Sequence, residues 1–369
     1  KDIPENTVKL LTKRLFSSNL PFIEEILPEK ILLSPIGAGR SKSIVFKMHE
    51  KSTTRTKSPI INTVVKISHL DDFKEEIYRY NKYIKWNLPY NIRVDILATS
   101  SSKEYGAIAY SFAHSNQNSA IYVLTDFLSC VDLNKIRIII DKIFTATNLL
   151  WTPINKKYKD GNVTDRYYKI YFGGEDSGYL TAQKEMSRKL REINSHISIE
   201  KNEIQFLGHK FPNYFRTLFE SSITGSMSII HGDLNSNNII VGHDDEIALI
   251  DFRDADIGHL FEDIISLEGC VRLYWKRTNK NSPLQEFEEC LKIERQLLAG
   301  DVADIEENSG WMAIDYIRKK TKERFPQENY KSYYYGLACY CFRLMRLTGL
   351  APVIAIRLLA CIIVSIEHF

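Results

Sequence analysis

The first third of the chain alternates short apolar runs with polar or glycine-containing breaks. Three runs rich in β-branched residues precede a polar, helix-like stretch, and three more follow it: ILLSPIG, SIVFKM, INTVVKIS, IRVDILAT, YGAIAYSF and AIYVLTDF. Runs of this length and composition are typical of β-strands. We therefore predict three strands, a helix and three further strands between residues 31 and 127.

The stretch between the third and fourth runs, DDFKEEIYRYNKYIKW, has a different period. Its apolar residues recur at helical spacing (Phe73, Ile77, Tyr80 and Ile84). Either aspartate at its start can cap a helix. The pattern thus predicts one helix inside the β-rich part.

Beyond Phe127 the pattern becomes mainly helical. DLNKIRIIIDKIFTATNLLW predicts a helix with Asp132 as its cap, and the chain after Asp263 indicates helices throughout. Between them, SIIHGDLNSNNIIVG and EIALIDF predict two short strands around a loop. A β-rich first part and a helical second part indicate an α+β, bilobal architecture. We divide it into a helical extension (1–30), a β-rich N-lobe (31–127) and a helical C-lobe (128–369).

Composition limits the classes of function. The 369 residues include 49 basic and 46 acidic ones, for a formal net charge of +3. A protein that binds nucleic acid through a strongly basic overall surface has a larger excess of positive charge. We therefore expect no general nucleic-acid binding, although a local basic cleft is compatible with this balance.

Cysteine usage and hydropathy bear on location. The six cysteines form no CxxC pair, so we expect reduced core residues in a cytoplasmic protein. The apolar run from Ala351 to Ile366 is interrupted by Arg357. Its uninterrupted parts are far shorter than the ~20 residues of a membrane span, so it predicts a buried helix. Because the first residue is Lys1, we also allow for a longer protein with additional domains or partners.

The strongest chemical signal is HGDLNSNN at 231–238, followed by LIDF at 249–252. Asp233 and Asn238 are five residues apart, the spacing of the catalytic base and a metal ligand in the kinase pattern H-R-D-L-x-x-x-N. Asp251 follows an apolar strand, as the magnesium-binding aspartate of D-F-G does. Hard oxygen ligands of this kind suit Mg²⁺. Together the motifs predict phosphoryl transfer.

These motifs resemble the aminoglycoside phosphotransferase and choline kinase superfamily, whose members share the protein-kinase fold. The continuation ALIDFRDADIGHLFEDIISLE is similar to a bacterial group of predicted phosphotransferases called ternary-complex-associated domains. The resemblance covers about residues 31–270 and is most specific in 229–268. It implies a protein-kinase-like fold, ATP and Mg²⁺ as cofactors, and a hydroxyl-bearing acceptor.

The resemblance also implies roles for individual residues. Asp233 would be the catalytic base, Asn238 and Asp251 would hold magnesium, and His231 would brace the catalytic loop. Asp263, in the helix after the metal loop, would anchor that metal loop by hydrogen bonds.

One position departs from the protein-kinase pattern. Arg253 stands where D-F-G has glycine. This residue fits the small-molecule kinase branch and argues against a mobile activation loop.

Two upstream segments complete the predicted nucleotide site. GAGRSKSIVF is a glycine-rich turn between strands, and alone it predicts only a hairpin turn. Within the resemblance, backbone amides of this turn would cover the ATP phosphates (Gly37, Ala38, Gly39, Arg40 and Ser41). Lys66 would pair with the α- and β-phosphates, and a glutamate of the following helix would pair with Lys66. Glu76 is our choice for this glutamate, with Glu75 second.

The end of AIYVLTDF matches the linker between the lobes of the superfamily. There, backbone groups of Leu124, Thr125 and Phe127 would hydrogen-bond adenine. Asp126 would contact ribose or lie at the surface.

The acceptor is not evident from the sequence. The aromatic residues between Trp151 and Phe172 favour core or interface packing over an aromatic box for an amine. We predict an ATP-dependent kinase acting on a small molecule or a protein. The alternative is a nucleotide-sensing or scaffold module of a multidomain bacterial signalling or phage-defence protein. A third reading, a nucleotide-transferring enzyme, would use the same residues.

Overall fold

The computed structural model describes residues 3–18, 31–35, 43–50, 63–111, 122–130, 132–154, 161–174, 176–194, 198–200, 203–213, 218, 221–242, 245–275, 282–305, 309–347 and 349–368. The chain forms two compact units. The first unit comprises Lys1–Tyr122 and Asn238–Asp256, and the second comprises Val123–Asn237 and Ile257–Phe369.

The first unit is built on a five-stranded antiparallel sheet in the order β1–β2–β3–β5–β4. Its strands are β1 Ile31–Pro35, β2 Ile44–Glu50, β3 Thr63–His69, β4 Ile96–Ser101 and β5 Tyr105–Ser111. The central strand β3 pairs with β2 and β5, and Lys66 lies opposite Val45 and Ile108. The sheet confirms five of the six predicted strand runs.

A helix follows β3 directly, as the sequence predicts. α2 spans Leu70–Arg79 and continues as a π-helical turn over Tyr80–Ile84. The ring of Phe73 lies over Gly106 of β5, where an added Cβ would come within 2.1 Å of the ring. Only glycine at this position lets α2 approach the sheet so closely.

An earlier helix, α1 (Glu5–Ser18), packs on the same sheet. Its buried Leu11 and Leu15 share a hydrophobic core with Ile67 of β3 and Ala107 of β5. The helix therefore belongs to the compact first unit, whereas the sequence division set residues 1–30 apart as an extension.

The first unit also contains a segment from much later in the chain. The strands Ile239–Val241 and Ile247–Leu249 form an antiparallel hairpin, and a 3₁₀ turn follows over Phe252–Asp254. The Leu249 N–H donates to the Ile92 carbonyl at 2.8 Å. This bond ties the hairpin, placed in the C-lobe by the sequence division, to the unit that contains the sheet.

The second unit is mainly helical. Its described helices are Leu124–Cys130, Leu133–Ala146, Val163–Phe172, Asp176–Ile193, Glu262–Tyr274, Pro283–Ala299, Gly310–Arg324, Tyr330–Leu344 and Pro352–Ile366. Short strands accompany them at Gly161–Asn162, Ser198–Ile199, Glu203–Phe206, His209–Pro212, Thr224–Gly225 and Met227–Ile230, and the strands Tyr122–Val123 and Asp256–His259 lie at the unit boundaries. The antiparallel sheet and the helical part together confirm the α+β class.

Local signals explain several of the helix ends. Asp132 accepts a hydrogen bond from the Lys135 N–H and caps Leu133–Ala146, as predicted. Ser282 and Gln285 form a capping box at the start of Pro283–Ala299, and Gly300 ends that helix in the left-handed conformation.

The core of the second unit contains a cluster of buried charges. Glu268 pairs with Arg272 at 2.5 Å and with Arg318 at 2.8 Å, and Glu294 pairs with both arginines. Tyr333 donates a hydrogen bond to Glu268. Burial alone would raise the pKa of Glu268, but the Arg318 and Arg272 guanidinium groups outweigh it and lower this pKa to about 2. The cluster therefore stays ionised inside an apolar core.

The arginine in the C-terminal apolar helix is also accommodated inside the unit. Arg357 lies over the Trp275 ring at 4.5 Å, donates to the Trp275 carbonyl and lies 3.5 Å from Glu286. The helix is buried, as predicted. Within the described ranges no helix is long and apolar enough to cross a membrane. The five cysteines whose side chains the structure describes are free and buried (Cys270, Cys290, Cys339, Cys341 and Cys361).

Candidate nucleotide site and catalytic loop

The first unit places Lys66 between two carboxylates. Lys66 lies in the middle of the central strand and is only 7% exposed. Its Nζ is 2.8 Å from Glu76 Oε2 and 2.7 Å from Asp251 Oδ1. A buried ammonium needs such partners, because desolvation without them would neutralise it.

Glu76, rather than Glu75, is the helical partner of Lys66. Glu76 is fully buried on the inner side of α2, and Tyr110 of β5 donates to its Oε1 at 2.5 Å. Glu75 faces outward and pairs with Arg79 at 2.5 Å. Sequence reasoning missed Tyr110, although a tyrosine in an otherwise apolar strand usually needs a partner for its hydroxyl.

Burial and charge oppose each other in this cluster. Burial would lower the pKa of Lys66, but Glu76 and Asp251 outweigh it, so the pKa of Lys66 lies above its ordinary value. Burial raises the pKa of Glu76, and Lys66 opposes this rise. The strand lysine is thus held as a cation between the two carboxylates.

Asp251 has an unusual backbone conformation. Its φ is +65°, in the left-handed region, where residues other than glycine are uncommon and aspartate is among the better tolerated. The next residue, Phe252, is fully buried and packs against Tyr80. Arg253, which replaces the glycine of D-F-G, pairs with Asp254 at 3.2 Å and lies 3.7 Å from Asp72. Strain of this kind clusters at ligand-binding positions.

The hairpin brings the two predicted metal ligands to the same end. Ile239 pairs with Leu249, and the Ile250 N–H donates to the Asn238 carbonyl at 3.1 Å. Asn238 therefore lies across from the residue before Asp251, and it is buried. A carboxylate and an amide fit Mg²⁺, which binds few protein groups and keeps several waters. In the described part of the chain no cluster of three or more histidine, cysteine or acidic residues could hold a metal.

In the second unit, Asp263 holds the H-G-D turn of the predicted catalytic loop. Its Oδ2 accepts from the His231 N–H at 2.8 Å and from Trp151 Nε1 at 2.9 Å, and its Oδ1 accepts from the Gly232 N–H at 2.9 Å. Gly232 has a φ of +82°, which glycine adopts without strain. The sequence predicted that Asp263 anchors the metal loop. Its carboxylate oxygens instead accept hydrogen bonds from backbone N–H groups of the H-G-D turn, so this prediction is corrected. His231 is buried beside this anchor.

Within the loop, Asn235 contacts the predicted base. Its Nδ2 donates to Asp233 Oδ2 at 2.9 Å, and its Oδ1 accepts from the Asn237 N–H at 2.9 Å. Asp233 is partly buried. Sequence reasoning missed Asn235, although an asparagine that bonds to backbone two residues on is a recognisable turn signal.

The predicted adenine-binding linker is largely helical. Leu124–Cys130 forms a helix, with Leu124 and Leu128 buried four residues apart. The run AIYVLTDF was predicted as a strand, but the strand covers only Tyr122–Val123 and the helix begins at Leu124. The binding of adenine by backbone groups of Leu124, Thr125 and Phe127 stays a prediction. The Thr125 side chain contacts Ser236 Oγ at 2.6 Å and Asn237 Oδ1 at 2.9 Å, both in the segment HGDLNSNN.

The predicted phosphate-covering turn lies outside the described residues (Gly37, Ala38, Gly39, Arg40 and Ser41). The strands β1 and β2 on either side of it pair antiparallel, with Pro35 opposite Phe46.

The aromatic residues before the loop belong to the core of the second unit. Trp151, Tyr167, Tyr171 and Phe172 are buried, which agrees with the packing interpretation. Tyr167 OH lies 2.8 Å from Nδ1 of His259, and Nε2 of the same ring lies 3.0 Å from Ser332 Oγ. Burial lowers the pKa of His259 to about 3, so its imidazole is neutral.

Comparison with known proteins gives one family match. Residues 175–324 match the model of ternary complex associated domain 9. This match confirms the predicted resemblance to ternary-complex-associated domains for that part of the chain. No curated protein sequence matches the chain.

Several solved structures are similar to this one. One is a thermostable mutant of aminoglycoside phosphotransferase APH(4)-Ia in a ternary complex with ADP and hygromycin B. Its sequence is 11% identical and its TM-score is 0.45, and the match covers 95% of this chain and 98% of that chain. Amicoumacin kinase in complex with AMP-PNP and Ca²⁺ is 11% identical, with a TM-score of 0.44 and coverage of 99% and 94%. Plasmodium vivax ethanolamine kinase is 12% identical, with a TM-score of 0.38 and coverage of 98% and 89%.

Proposed function

We propose that the chain is an ATP-dependent phosphotransferase that transfers the γ-phosphoryl group to a hydroxyl of a small molecule or protein. The observation that carries the proposal is the placement of Lys66 between Glu76 and Asp251. A strand lysine, a glutamate of the next helix and a metal-loop aspartate are the parts that kinases use to hold ATP. The motif HGDLNSNN supplies the remaining catalytic residues.

In this proposal, residues of the first unit bind the nucleotide. Lys66 contacts the phosphates and is kept charged and oriented by Glu76, which Tyr110 holds in turn. Asp251 and Asn238 would hold Mg²⁺, which supplies neutralisation of phosphate charge. The turn from Gly37 to Ser41 would cover the phosphates with backbone amides.

In the second unit, Asp233 would orient the acceptor hydroxyl and accept its proton late in the reaction. Asn235 fixes the carboxylate, and Asp263 fixes the turn that carries it. General-base contributions of this kind are on the order of 10²–10⁴-fold in rate.

Two variants test the proposal without knowledge of the acceptor. Lys66→Ala should weaken both ATP affinity and turnover, because the lysine contacts phosphates already in the ground state. Asp233→Asn should preserve ATP affinity and lower transfer by about 10²–10⁴-fold. Calorimetry with Mg-ATP and transfer of labelled γ-phosphate, measured as autophosphorylation where no acceptor is known, give both quantities. Unchanged transfer in Asp233→Asn would refute the assigned base.

The match of residues 175–324 to a ternary complex associated domain favours a second candidate, a nucleotide-sensing or scaffold module. This candidate predicts Mg-ATP binding without transfer in either wild type or Asp233→Asn.

We also propose a cytoplasmic location, because the five cysteines whose side chains are described are free thiols, as is usual in reducing compartments.

A further inference from the structure

One face of the first unit combines exposed aromatic rings with lysines. It lies on α2, the π-helical turn and the turn that follows, and its six members lie between residues 74 and 90: Lys74, Tyr78, Lys82, Lys85, Trp86 and Tyr90. We call these six residues the aromatic–lysine face. It is distinct from the buried side of α2, which carries Phe73 and Glu76.

The rings are unusually exposed for their size. Trp86 and Tyr90 are each 75% exposed, and Tyr78 is 54% exposed. From residue 63 to residue 111, which the structure describes throughout, these three are the exposed large hydrophobic side chains, and all are aromatic. Trp86 is also the exposed tryptophan of the chain, since Trp151, Trp275 and Trp311 are buried.

Two of the three lysines, Lys82 and Lys85, lie beside the rings. Lys82 Nζ is 5.1 Å from the centre of the Tyr78 ring and donates to its hydroxyl at 2.9 Å. Lys85 Nζ is 5.3 Å from the centre of the Trp86 ring. The nearby carboxylates of Glu75 and Asp256 are both engaged by Arg79. The face therefore presents positive charge and flat rings together.

The π-helical turn contributes to this arrangement. The Lys85 N–H bonds to the Tyr80 carbonyl five residues earlier, at 2.9 Å. The extra residue in the turn leaves Tyr80, Tyr83 and Ile84 buried and Lys82 exposed. π-Helical turns of this kind occur frequently at functional sites.

We propose that the aromatic–lysine face binds single-stranded nucleic acid. Surfaces with this function combine positive charge, which follows the phosphate backbone, with aromatic side chains on which bases stack. The near-equal numbers of basic and acidic residues in the whole chain argue against a strongly basic overall surface. They are compatible with three lysines clustered on one face. The inference is independent of the proposed phosphotransfer, whose residues lie elsewhere.

Other occupants fit the face less well. In a symmetric contact between two copies of the chain, the same patch would meet itself and lysine would oppose lysine. Protein interfaces are depleted in lysine, and their buried centres exclude charge. Here lysines are interleaved with the rings, and between residues 63 and 111 the exposed large hydrophobic side chains are all aromatic.

The test measures binding of the full chain to a fluorescein-labelled oligothymidine of about 15 nucleotides, by anisotropy. The wild-type chain should bind the oligonucleotide. The logarithm of its association constant should fall linearly with the logarithm of the salt concentration, with a slope of about −2, because each of the three lysines releases about 0.7 counterion from a single strand. Binding should also quench Trp86 fluorescence. Trp86→Leu, which keeps an apolar side chain but removes the ring, should weaken binding roughly 5- to 150-fold.

A charge-matched pair of triple variants provides the control. Replacing Lys74, Lys82 and Lys85 by Gln should abolish measurable binding. Replacing Lys9, Lys13 and Lys103 by Gln changes the net charge equally in the same unit and should leave binding near the wild-type value. All variants should keep the wild-type melting temperature.

Three results would overturn the proposal. They are no binding by wild type at low salt, equal losses in the two triple variants, and tighter binding of a poly-glutamate peptide than of oligothymidine. The last result would identify an acidic protein segment as the ligand. A failure of ATP binding or transfer would leave this test unaffected.

Discussion

Glu75 and Glu76 are adjacent carboxylates with very different surroundings. A helix turns by about 100° per residue, so neighbouring side chains face different directions. Glu76 is buried against Lys66 and Tyr110, whereas Glu75 remains about half exposed beside Arg79. Their difference allows the buried cluster to be tested with a built-in control.

Glu76→Gln should lower the free energy of unfolding by roughly 1–3 kcal/mol, because it leaves a buried lysine with one carboxylate instead of two. Glu75→Gln should lower it by less than about 1 kcal/mol, since exposed ion pairs contribute little. Urea denaturation at pH 7 measures both values. Equal losses would mean that burial of the Lys66 cluster does not determine stability.

Asp251 combines a left-handed backbone with an ion pair. Asp251→Asn should change the melting temperature of the nucleotide-free protein far less than Glu76→Gln does, because the Asp251 side chain is partly exposed whereas that of Glu76 is fully buried and also accepts from Tyr110. Asparagine also tolerates the left-handed backbone. The same variant should weaken magnesium-dependent nucleotide binding. Thermal melts and calorimetry with and without Mg²⁺ separate the two effects. An unfolded variant would show that the carboxylate is structural and would refute its role as a metal ligand.

At the residue scale, the sequence predicts a site residue well when its role follows from the strand or helix in which it lies. Lys66 was recognisable from its apolar neighbours in a strand, whereas Glu76 was preferred over Glu75 only through the family resemblance. Tyr110 and Asn235 were missed. Tyr110 contacts a residue 34 positions away, and no local pattern encodes that distance.

At the element scale, the H-G-D turn depends on a helix that begins about thirty residues later. Asp263 satisfies two backbone N–H groups of the turn and the indole of Trp151. The turn geometry therefore comes from a carboxylate outside the loop.

Asp263→Asn should lower phosphoryl transfer by on the order of 10²-fold while leaving ATP affinity near the wild-type value, because a displaced loop misplaces Asp233. Asparagine has one acceptor oxygen, whereas the carboxylate uses both. Labelled-phosphate transfer and calorimetry are the measurements, and Asp301→Asn, at an exposed site of the same unit, is the control. A parallel loss in the control would remove Asp263 from the mechanism.

The main error at this scale concerns the run AIYVLTDF. Short apolar runs do not distinguish a strand from a buried helix. Leu124 and Leu128 are four residues apart, so in a helix both side chains lie on the same buried face. Packing of this face in the second unit favours a helix from Leu124 onward. The helix α2 was predicted well, because its period extends over four apolar positions.

At the scale of the whole molecule, the second unit depends on buried charge. Glu268 has a pKa lowered to about 2 from an ordinary value of 4.5. A lowered carboxyl pKa stabilises the folded state above pH 4.5, and this contribution is lost as the pH falls towards 2.

Glu268→Gln should therefore lower stability at pH 7 by roughly 3 kcal/mol or more, since it leaves two buried arginines with one carboxylate. Between pH 4.5 and pH 3 the stability of the variant should depend less on pH than that of wild type. Urea denaturation at several pH values tests this, with Glu288→Gln as an exposed control. Parallel pH profiles for wild type and Glu268→Gln would contradict the assigned pKa.

The first unit is assembled from two stretches of the chain separated by more than a hundred residues. Lys66 and Asp251 are 185 positions apart. During synthesis the sheet emerges from the ribosome long before the hairpin that contributes Asp251, with a delay on the order of ten seconds at usual translation rates. In that interval the lysine has Glu76 but lacks its second carboxylate. The nascent sheet therefore completes its charge cluster only after much of the helical unit has been made, and shortening the chain from its C-terminus past Asp251 would leave the cluster permanently without this carboxylate.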